Sequence, residues 1–175
     1  RRSRIYVAIA TYILDLLSMQ RARNEIQRQD RLLRAVNKVA GMLLGSDVNN
    51  FKNTIAQAMK ILGQSVEADR MDIWKNKTID GKLYCSQIYE WSENVEPLEG
   101  AELARLSNYD DMGVWKPTLE KGLSINARVE DMGPDERAAL EPQGIISMLV
   151  IPVFLKDEFW GFIGFDDCRN VRTFD

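Results

Sequence analysis

The stretch from Gly144 to Cys168 constrains the fold more than any other part of this chain. It contains two apolar runs of strand length, joined by the polar turn Lys156-Asp157-Glu158. Because both runs have few polar positions, we expect each strand to be covered on both faces, as the central strands of a sheet are. The segment therefore predicts a hairpin at the centre of a sheet.

A second hairpin is predicted around Asp80-Gly81, a dipeptide typical of tight turns between strands. Residues 69–76 and 82–92 on either side alternate between apolar and polar positions, as half-buried strands do. Strict alternation in the second of these strands places four residues on one face. They are Leu83, Cys85, Tyr89 and Trp91.

The rest of the globular part predicts helices and one irregular segment. Ser46 or Asp47 is placed to cap a second helix that ends at Gly63. Between residues 92 and 144, glycine and proline break the chain into short pieces, among which 111–121 and 134–140 are predicted short helices and 124–126 a short strand. This order predicts an α+β fold, with helices on an antiparallel sheet.

The first 44 residues carry an unbroken heptad pattern, which predicts one long helix. Three of the six a positions of the heptad are polar, at Arg23, Asp30 and Asn37. Polar residues at a weaken a two-stranded coiled coil but specify its register. Either two copies of this helix pair as a dimer, or the helix folds back on its own domain. The predicted dimer seam contains Ile9, Tyr12, Leu16, Met19, Ile26 and Leu33.

The basic start of the chain, followed by an apolar run, has some features of a signal peptide. However, the run contains Asp15, lacks a small-residue cleavage site and continues the heptad pattern. Its length of about 13 residues is also too short to cross a bilayer. We therefore expect no direct membrane contact and a cytoplasmic location, with a possible membrane anchor elsewhere in a longer parent protein.

Composition argues against several function classes. The 23 basic and 26 acidic residues are interspersed and give a formal charge of −3, so we expect no nucleic-acid partner. The chain has no histidine, which removes the usual phosphoacceptor, haem ligand, zinc ligand and neutral-pH base. Cys85 and Cys168 are far apart and lack a CxxC spacing, which is typical of reduced thiols. We predict no catalytic residue and no metal site.

The last two strands resemble those of a GAF domain. The features that carry the resemblance are a glycine-led apolar strand with a proline near its end, a short polar turn, and the run Phe-Ile-Gly-Phe-Asp-Asp at 162–167. The likeness extends over roughly residues 30–175 and is greatest to the modules of bacterial sensor histidine kinases and related multi-domain signalling proteins. It implies a sensory domain over 45–175 with a central antiparallel sheet of about five or six strands flanked by helices, preceded by the long helix that the heptad pattern predicts over 1–44.

By this resemblance, a small ligand binds between the sheet and the irregular segment. Alternation in the last strand places Phe162 and Gly164 on one face and Phe159 on the other. Trp residues near the irregular segment either stack on a planar ligand or simply fill the core. The hydroxyl in the apolar run 145–151 either contacts a ligand or bonds to nearby backbone. The candidate ligand contacts are Trp91, Asp111, Trp115, Ser147 and Phe162.

The ligands known for this family are a poor match to the sequence. Asn76-Lys77 lacks the downstream pattern of the cyclic-nucleotide-binding members. Bilin-binding members attach the pigment through a cysteine often followed by histidine, whereas Cys85 precedes Ser86 and Cys168 precedes Arg169. The chain has no histidine that could bind a haem iron. The cofactor is therefore unknown, and the sequence disfavours cyclic nucleotide, bilin and haem.

We expect a regulatory sensor module of a larger signal-transduction protein, with adjacent signalling domains in the same chain and a homodimer through the first helix. The chain does not begin with methionine, and we expect it to be part of a longer protein. A ligand-free module that only holds two subunits together is the alternative. Paired acids at 110–111 and 166–167 lack further ligands at a convincing spacing, so an enzyme is disfavoured.

Overall fold

The hairpin predicted from residues 144–168 forms the middle of the sheet. The computed structural model describes residues 2–97 and 107–174, excluding the side chains of residues 2–4 and 8. In this part of the chain, six strands form one sheet in the order β3-β2-β1-β6-β5-β4, and each neighbouring pair is antiparallel. The strands are β1 (Arg70–Ile79), β2 (Lys82–Ser92), β3 (Ser107–Asn108), β4 (Ile125–Arg128), β5 (Ser147–Leu155) and β6 (Glu158–Asp167). The predicted α+β fold with an antiparallel sheet is confirmed.

A two-residue turn joins the two strands of each hairpin, β1 to β2 and β5 to β6. Asp80 and Gly81 both have positive φ angles, 48° and 78°, and the turn closes between Ile79 and Lys82. Lys156 and Asp157 likewise have φ angles of 50° and 67°. Two consecutive residues with positive φ are the signature of the turn whose twist matches that of paired strands.

Two bulges overturn the strict alternation predicted for β2 and β6. In β2, Ile73 pairs with Tyr89 and Trp74 with Gln87, so Ile88 is the extra residue. In β6, Trp160 is the extra residue. An extra residue exchanges the two faces of a strand beyond it. The face predicted for four β2 residues is therefore wrong: Leu83 and Cys85 lie on one side of the sheet, and Tyr89 and Trp91 on the other.

The same effect in β6 brings Phe159 to the face that carries Phe162, where the sequence placed them on opposite faces. Both rings contact Tyr109, at centroid distances of 5.9 and 6.5 Å. The bulge thus adds an aromatic ring to this face of the sheet.

One face of the sheet packs on α2 (Phe51–Ser65), and α1 (Arg2–Leu44) packs mainly on α2. Asp47 caps a short 3-10 helix at Val48–Asn50 rather than α2 itself, and α2 continues through Gly63 to Ser65. Both predicted ends of this helix are therefore wrong. Gly63 allows close packing: a Cβ there would lie 2.1 Å from Cζ3 of Trp91.

Helix α1 contacts the domain through its C-terminal part. Ala35 and Val39 are buried, whereas the described side chains before Ala35 are exposed or, at Arg28, half-buried. In the heptad register, Ala35 and Val39 lie on the side opposite the predicted dimer seam. No helix of the described residues is long and apolar enough to span a membrane.

The irregular segment covers the other face of the sheet with α3 (Trp115–Leu119), α4 (Pro134–Leu140) and short 3-10 helices. The predicted helix at 134–140 begins at Pro134 as expected, and the one predicted over 111–121 is confined to α3. Residues 98–106 of the predicted irregular segment lie outside the described residues. Between this layer and the sheet is a cavity.

Candidate functional site

The cavity has a volume of about 120 Å³ and lies between the sheet and the short helices. A single water needs roughly 10–15 Å³ on this kind of measure, so the space is large enough for a small organic molecule. It is well below the roughly 300–1,000 Å³ of pockets for drug-sized ligands. Strands β1, β5 and β6 form its floor, and α3, α4 and the flanking 3-10 helices form its walls.

A buried carboxyl group lies on the floor. Asp72 of β1 faces the cavity, and its Oδ1 accepts a hydrogen bond of 2.6 Å from Nε1 of Trp74. The opposing residue on β6 is Gly164, where a Cβ would lie 2.4 Å from Oδ1 of Asp72. Glycine at this position therefore makes the space in which the carboxyl group sits.

A second carboxyl group, Asp166, lies beside it and also lines the cavity. The Oδ2 atom of Asp166 is 3.4 Å from Nη1 of Arg70, and Oε1 of Glu90 is 3.6 Å from Nε of the same guanidinium. All of these side chains are nearly inaccessible to solvent. Glu90 has a further partner in Gln87, whose Nε2 donates to its Oε2 at 3.2 Å, whereas the one guanidinium of Arg70 faces both Asp72 and Asp166.

Burial and this imbalance of charge raise the pKa values of the two carboxyl groups on the cavity floor. Burial raises the pKa of Asp72 to about 6, against the hydrogen bond from Trp74 and the charge of Arg70, which both lower it. Burial, together with the neighbouring charge of Asp72, raises the pKa of Asp166 well above its usual value. Removing charged groups from water favours their neutral forms, and like charges add to the effect. Asp72 and Asp166 therefore stay protonated at pH values at which exposed carboxyl groups are already ionised.

Aromatic rings surround the acidic floor. Trp74 stacks on Phe162 with centroids 5.6 Å apart and an interplanar angle of 14°. Trp115 meets the same ring edge-on at 5.9 Å. These three rings, together with Met148 and Val150 of β5, make most of the cavity surface apolar.

Two further acids lie in the outer layer. Glu136 of α4 is half-buried; its Oε1 accepts a hydrogen bond of 3.1 Å from Nε1 of Trp115, and its Oε2 accepts one of 3.0 Å from the backbone N–H of Gly133. Asp111 is exposed and lines the cavity from the 3-10 helix at Tyr109–Asp111. Among the lining residues that the structure describes, four are acidic and none is lysine or arginine.

The structure brings together three of the five predicted ligand contacts: Asp111, Trp115 and Phe162 all line the cavity. Trp91 does not, because the bulge at Ile88 turns it to the helix face. Ser147 also lies outside: it is buried, its hydroxyl donates to the carbonyl of Asn170, and it accepts from the backbone N–H of Arg172. The alternative considered for this hydroxyl, a bond to backbone, is what the structure shows.

Sequence reasoning missed Asp72, Trp74 and Glu136 and set Asp166 aside as half of an unproductive acid pair. A signal was available for Asp72, a carboxyl group between Met71 and Ile73 in a strand that reads as half-buried. A charge at such a position needs a partner or a function. No comparable signal marks Glu136, whose position depends on how α4 packs.

The adjacent acid Asp167 has a structural role on the other side of the strand. Its Oδ1 accepts from the backbone N–H groups of Arg169 and Asn170 at 2.9 and 2.7 Å, and its Oδ2 accepts from Nε of Arg172 at 2.6 Å. Burial alone raises the pKa of Asp167, but these donors outweigh it and the pKa is lowered. Asp166 and Asp167 thus act on different faces, as the strand period predicts.

The two cysteines are unpaired. Cys85 is buried beneath the cavity wall without lining it, and burial raises the pKa of its thiol to about 12. Burial raises the pKa of Cys168 to about 11. Thiols with raised pKa values are poor nucleophiles at neutral pH. Within the described residues, no group of three or more potential ligands is placed to hold a metal ion.

The predicted dimer seam is open to solvent along its whole length. Every one of its six side chains is between 45 and 67% exposed. The helix surface that packs on the domain uses Ala35 and Val39 instead. Intramolecular packing therefore leaves the seam unused.

Comparison with known proteins identifies the domain. A GAF domain model matches residues 50–175. The methanogenesis regulatory histidine kinase FilI from Methanothrix harundinacea (strain 6Ac) is 37% identical over 161 residues, which are 90% of this chain but 18% of that protein. This chain therefore spans about a fifth of the length of that relative.

Two solved structures show the shared architecture. A phycocyanobilin-bound GAF domain from a cyanobacterial phytochrome superposes with a TM-score of 0.59 at 19% identity, covering 82% of this chain and 81% of that one. A Staphylococcus aureus NreA protein mutated in its nitrate binding site gives a TM-score of 0.55 at 13% identity, covering 74% and 93%. At these identities the likeness concerns the fold alone. The sequence match over residues 50–175 decides the family: the chain belongs to the GAF domain family.

Proposed function

We propose that residues 45–175 are a non-catalytic sensory domain of a larger signalling protein, and that a small molecule in the cavity regulates it. Residues 1–44 then relay the state of the cavity to adjacent domains as a helix shared by two copies. One observation carries the proposal: the sheet has a partly enclosed cavity on one face and packs with the other on α2, which in turn contacts α1. The similarity to a histidine kinase supports a signalling parent protein.

The size of the cavity supports a ligand of few heavy atoms. A volume of about 120 Å³ is small beside the pockets of large cofactors. The thiol of Cys85 is buried, has a raised pKa and lies outside the cavity, so it offers no attachment point for a bilin. The same dimensions suit a metabolite held by the floor carboxyl groups and the surrounding rings.

The two faces of the sheet are connected through single strands. On β1, Asp72 and Trp74 face the cavity, while Met71 and Ile73 pack in the cluster that contains α2. A ligand that moves the floor of the cavity must therefore move residues that contact α2, which in turn contacts α1. Coupling of this kind requires the ligand to prefer one arrangement, typically by 1–3 kcal/mol.

The helix supports dimerisation through its open seam. Two copies paired in parallel would bury the six seam residues, which the domain itself leaves exposed. We expect Leu16→Glu with Met19→Glu to give a monomer, because both changes place charges in the buried seam. The matched control is Leu14→Glu with Leu17→Glu, which changes two exposed leucines of the same helix outside the seam and should leave the dimer intact. Sedimentation velocity distinguishes the two species; a monomeric control, or a dimeric seam variant, would contradict the assignment.

Native mass spectrometry of the purified protein tests the ligand. A bound metabolite gives an excess mass that disappears on denaturation, and the purified compound added back should raise the Tm. If no excess mass is found and no small molecule in a broad screen raises the Tm, the sensory proposal fails and a ligand-free dimerisation module becomes the function.

A further inference from the structure

We propose that the cavity binds a small organic cation, a protonated or quaternary amine of a few carbon atoms, with Asp72 as its main counter-ion. This inference rests on the proposed sensory function and specifies the chemical class of the ligand. It depends on three features of the described residues: the sign of the charge on the floor, the position of the guanidinium, and the rings around the acids.

The floor has an uncompensated negative charge. Asp72 and Asp166 lie beside the same guanidinium, that of Arg70, and all three side chains are nearly inaccessible to solvent. When both carboxyl groups are ionised, this one positive charge faces two negative ones. Buried charges without partners are costly, so such a site takes up protons or a cation.

The arrangement directs the negative side of this cluster toward the cavity. Asp72 and Asp166 line the cavity, whereas Arg70 and Glu90 do not. Nη2 of Arg70 is 3.5 Å from the carbonyl oxygen of Gln143, at the edge of the cavity. A ligand inside therefore meets carboxylate oxygens before it meets the guanidinium, which favours cations over anions.

Three aromatic rings complete a site suited to a cation with an apolar surface. Trp74, Trp115 and Phe162 all line the cavity that contains Asp72. Cations, and quaternary ammonium groups in particular, bind over the faces of such rings. The indole N–H groups of both tryptophans donate to carboxylates, Trp74 to Asp72 and Trp115 to Glu136, so the rings are held by the same acids that attract the ligand.

Proton release should accompany binding. The groups that influence Asp72 are Arg70 on its own strand, Glu90 and Cys85 on β2, and Asp166 on β6. Since the pKa of Asp72 is raised to about 6, the empty cavity holds a proton there at mildly acidic pH. A cation competes with that proton. For a single carboxyl group titrating near 6, the cation should bind about fourfold more weakly at pH 5.5 than at pH 7.5.

The test uses four chloride or sodium salts and one neutral compound on the full chain. Ethylammonium and tetramethylammonium are the cationic probes, tert-butyl alcohol is the neutral isostere, and propionate and nitrate are the anions. Binding is followed by the indole N–H resonances in ¹H–¹⁵N NMR spectra. Trp74 and Trp115 report on the cavity, and Trp91 and Trp160, which do not line it, serve as internal references.

We expect at least one cation to shift the Trp74 and Trp115 signals with an affinity at least tenfold above that of the neutral isostere. Asp72→Asn should weaken it by about tenfold or more, the scale of a lost bond to a charged group, and should reduce the pH dependence, of which Asp166 is the remaining source on the floor. Asp110→Asn is the matched control, since Asp110 is exposed, pairs with Lys82 and does not line the cavity. Asp110→Asn should change neither the affinity for the cation nor its pH dependence.

The outcomes separate this inference from the proposed function. If tert-butyl alcohol or an anion shifts the cavity signals and neither cation does, the cationic class is wrong and the sensory cavity stands. Equal affinities of the cations for wild type and Asp72→Asn would also overturn the inference. If no probe binds and native mass spectrometry detects no ligand, both proposals fail.

Discussion

Gly63 provides a sharp test of the packing between α2 and the sheet. It is buried within the helix, and a Cβ at this position would lie 2.1 Å from Cζ3 and 2.5 Å from Cε3 of Trp91. Overpacking costs about 1–3 kcal/mol, and contact with two atoms of a rigid ring puts this case at the upper end. Replacing glycine by alanine inside a helix gains about 1 kcal/mol. We therefore expect Gly63→Ala to lower the free energy of unfolding by about 2 kcal/mol.

The effect of Gly63→Ala on the free energy of unfolding should change sign when the indole ring of Trp91 is removed. In a Trp91→Ala background the three atoms nearest to the new methyl group, all of them in the indole ring, are gone, so we expect the gain in helix propensity to dominate. Gly63→Ala should then raise the free energy of unfolding by about 1 kcal/mol. The two backgrounds differ by about 3 kcal/mol, a coupling energy expected only for residues in direct contact.

Urea unfolding followed by far-UV circular dichroism measures all four proteins of this cycle. Gly41→Ala is the control, since Gly41 lies in α1 and, apart from its chain neighbours and the backbone of its own helix, no heavy atom lies within 4 Å of a Cβ built there; it should stabilise both backgrounds by about 1 kcal/mol. Equal effects of Gly63→Ala with and without the ring would refute the contact. Trp91 would then return as a candidate for the cavity.

Two further predictions concern the acids of the sheet. Asp167→Asn should lower the free energy of unfolding by about 3 kcal/mol at pH 7, because the variant loses charge-assisted bonds from Arg172 and two backbone N–H groups. Because the pKa of Asp167 is lowered in the folded state, chemical unfolding at several pH values should show this difference shrinking as pH falls below the usual 3.8; a constant difference would contradict it. Asp72→Asn should act the other way: a carboxyl pKa raised from 3.8 to about 6 costs stability above pH 6, so the variant should be more stable by about 3 kcal/mol at pH 7.5 and equal to wild type near pH 4. A less stable variant at pH 7.5 would mean that Arg70 stabilises the carboxylate fully.

Local signals in the sequence were sufficient for many elements. The Asp80-Gly81 turn, the start of α4 at Pro134 and the hairpin of β5 and β6 were predicted because each depends on residues close together in the chain. The bulges at Ile88 and Trp160 were not, since an extra residue is decided by the register of the neighbouring strand. Missing the bulge at Ile88 led the sequence analysis to place Trp91 at the cavity, whereas the structure places it on the opposite face of the sheet.

The end of α2 illustrates a second limit. Glycine after an apolar run is a frequent helix terminator, and the sequence offers no sign that Gly63 instead makes room for a distant ring. Likewise, Ser147 stands alone in an apolar run, and only the path of the chain after β6 supplies its partners at Asn170 and Arg172. In both cases the deciding neighbour is remote in sequence.

The sequence by itself determined the α+β class, the antiparallel sheet and the long first helix, because periodicity and turn chemistry act over a few residues, and its resemblance to known members determined the family. Only the tertiary structure decided which side chains meet in the cavity. Arg70 and Asp166 are 96 positions apart in the chain, yet β1 and β6 pair them directly. The charge of the cavity floor depends on that pairing, since a buried carboxyl group is defined by the charges packed around it.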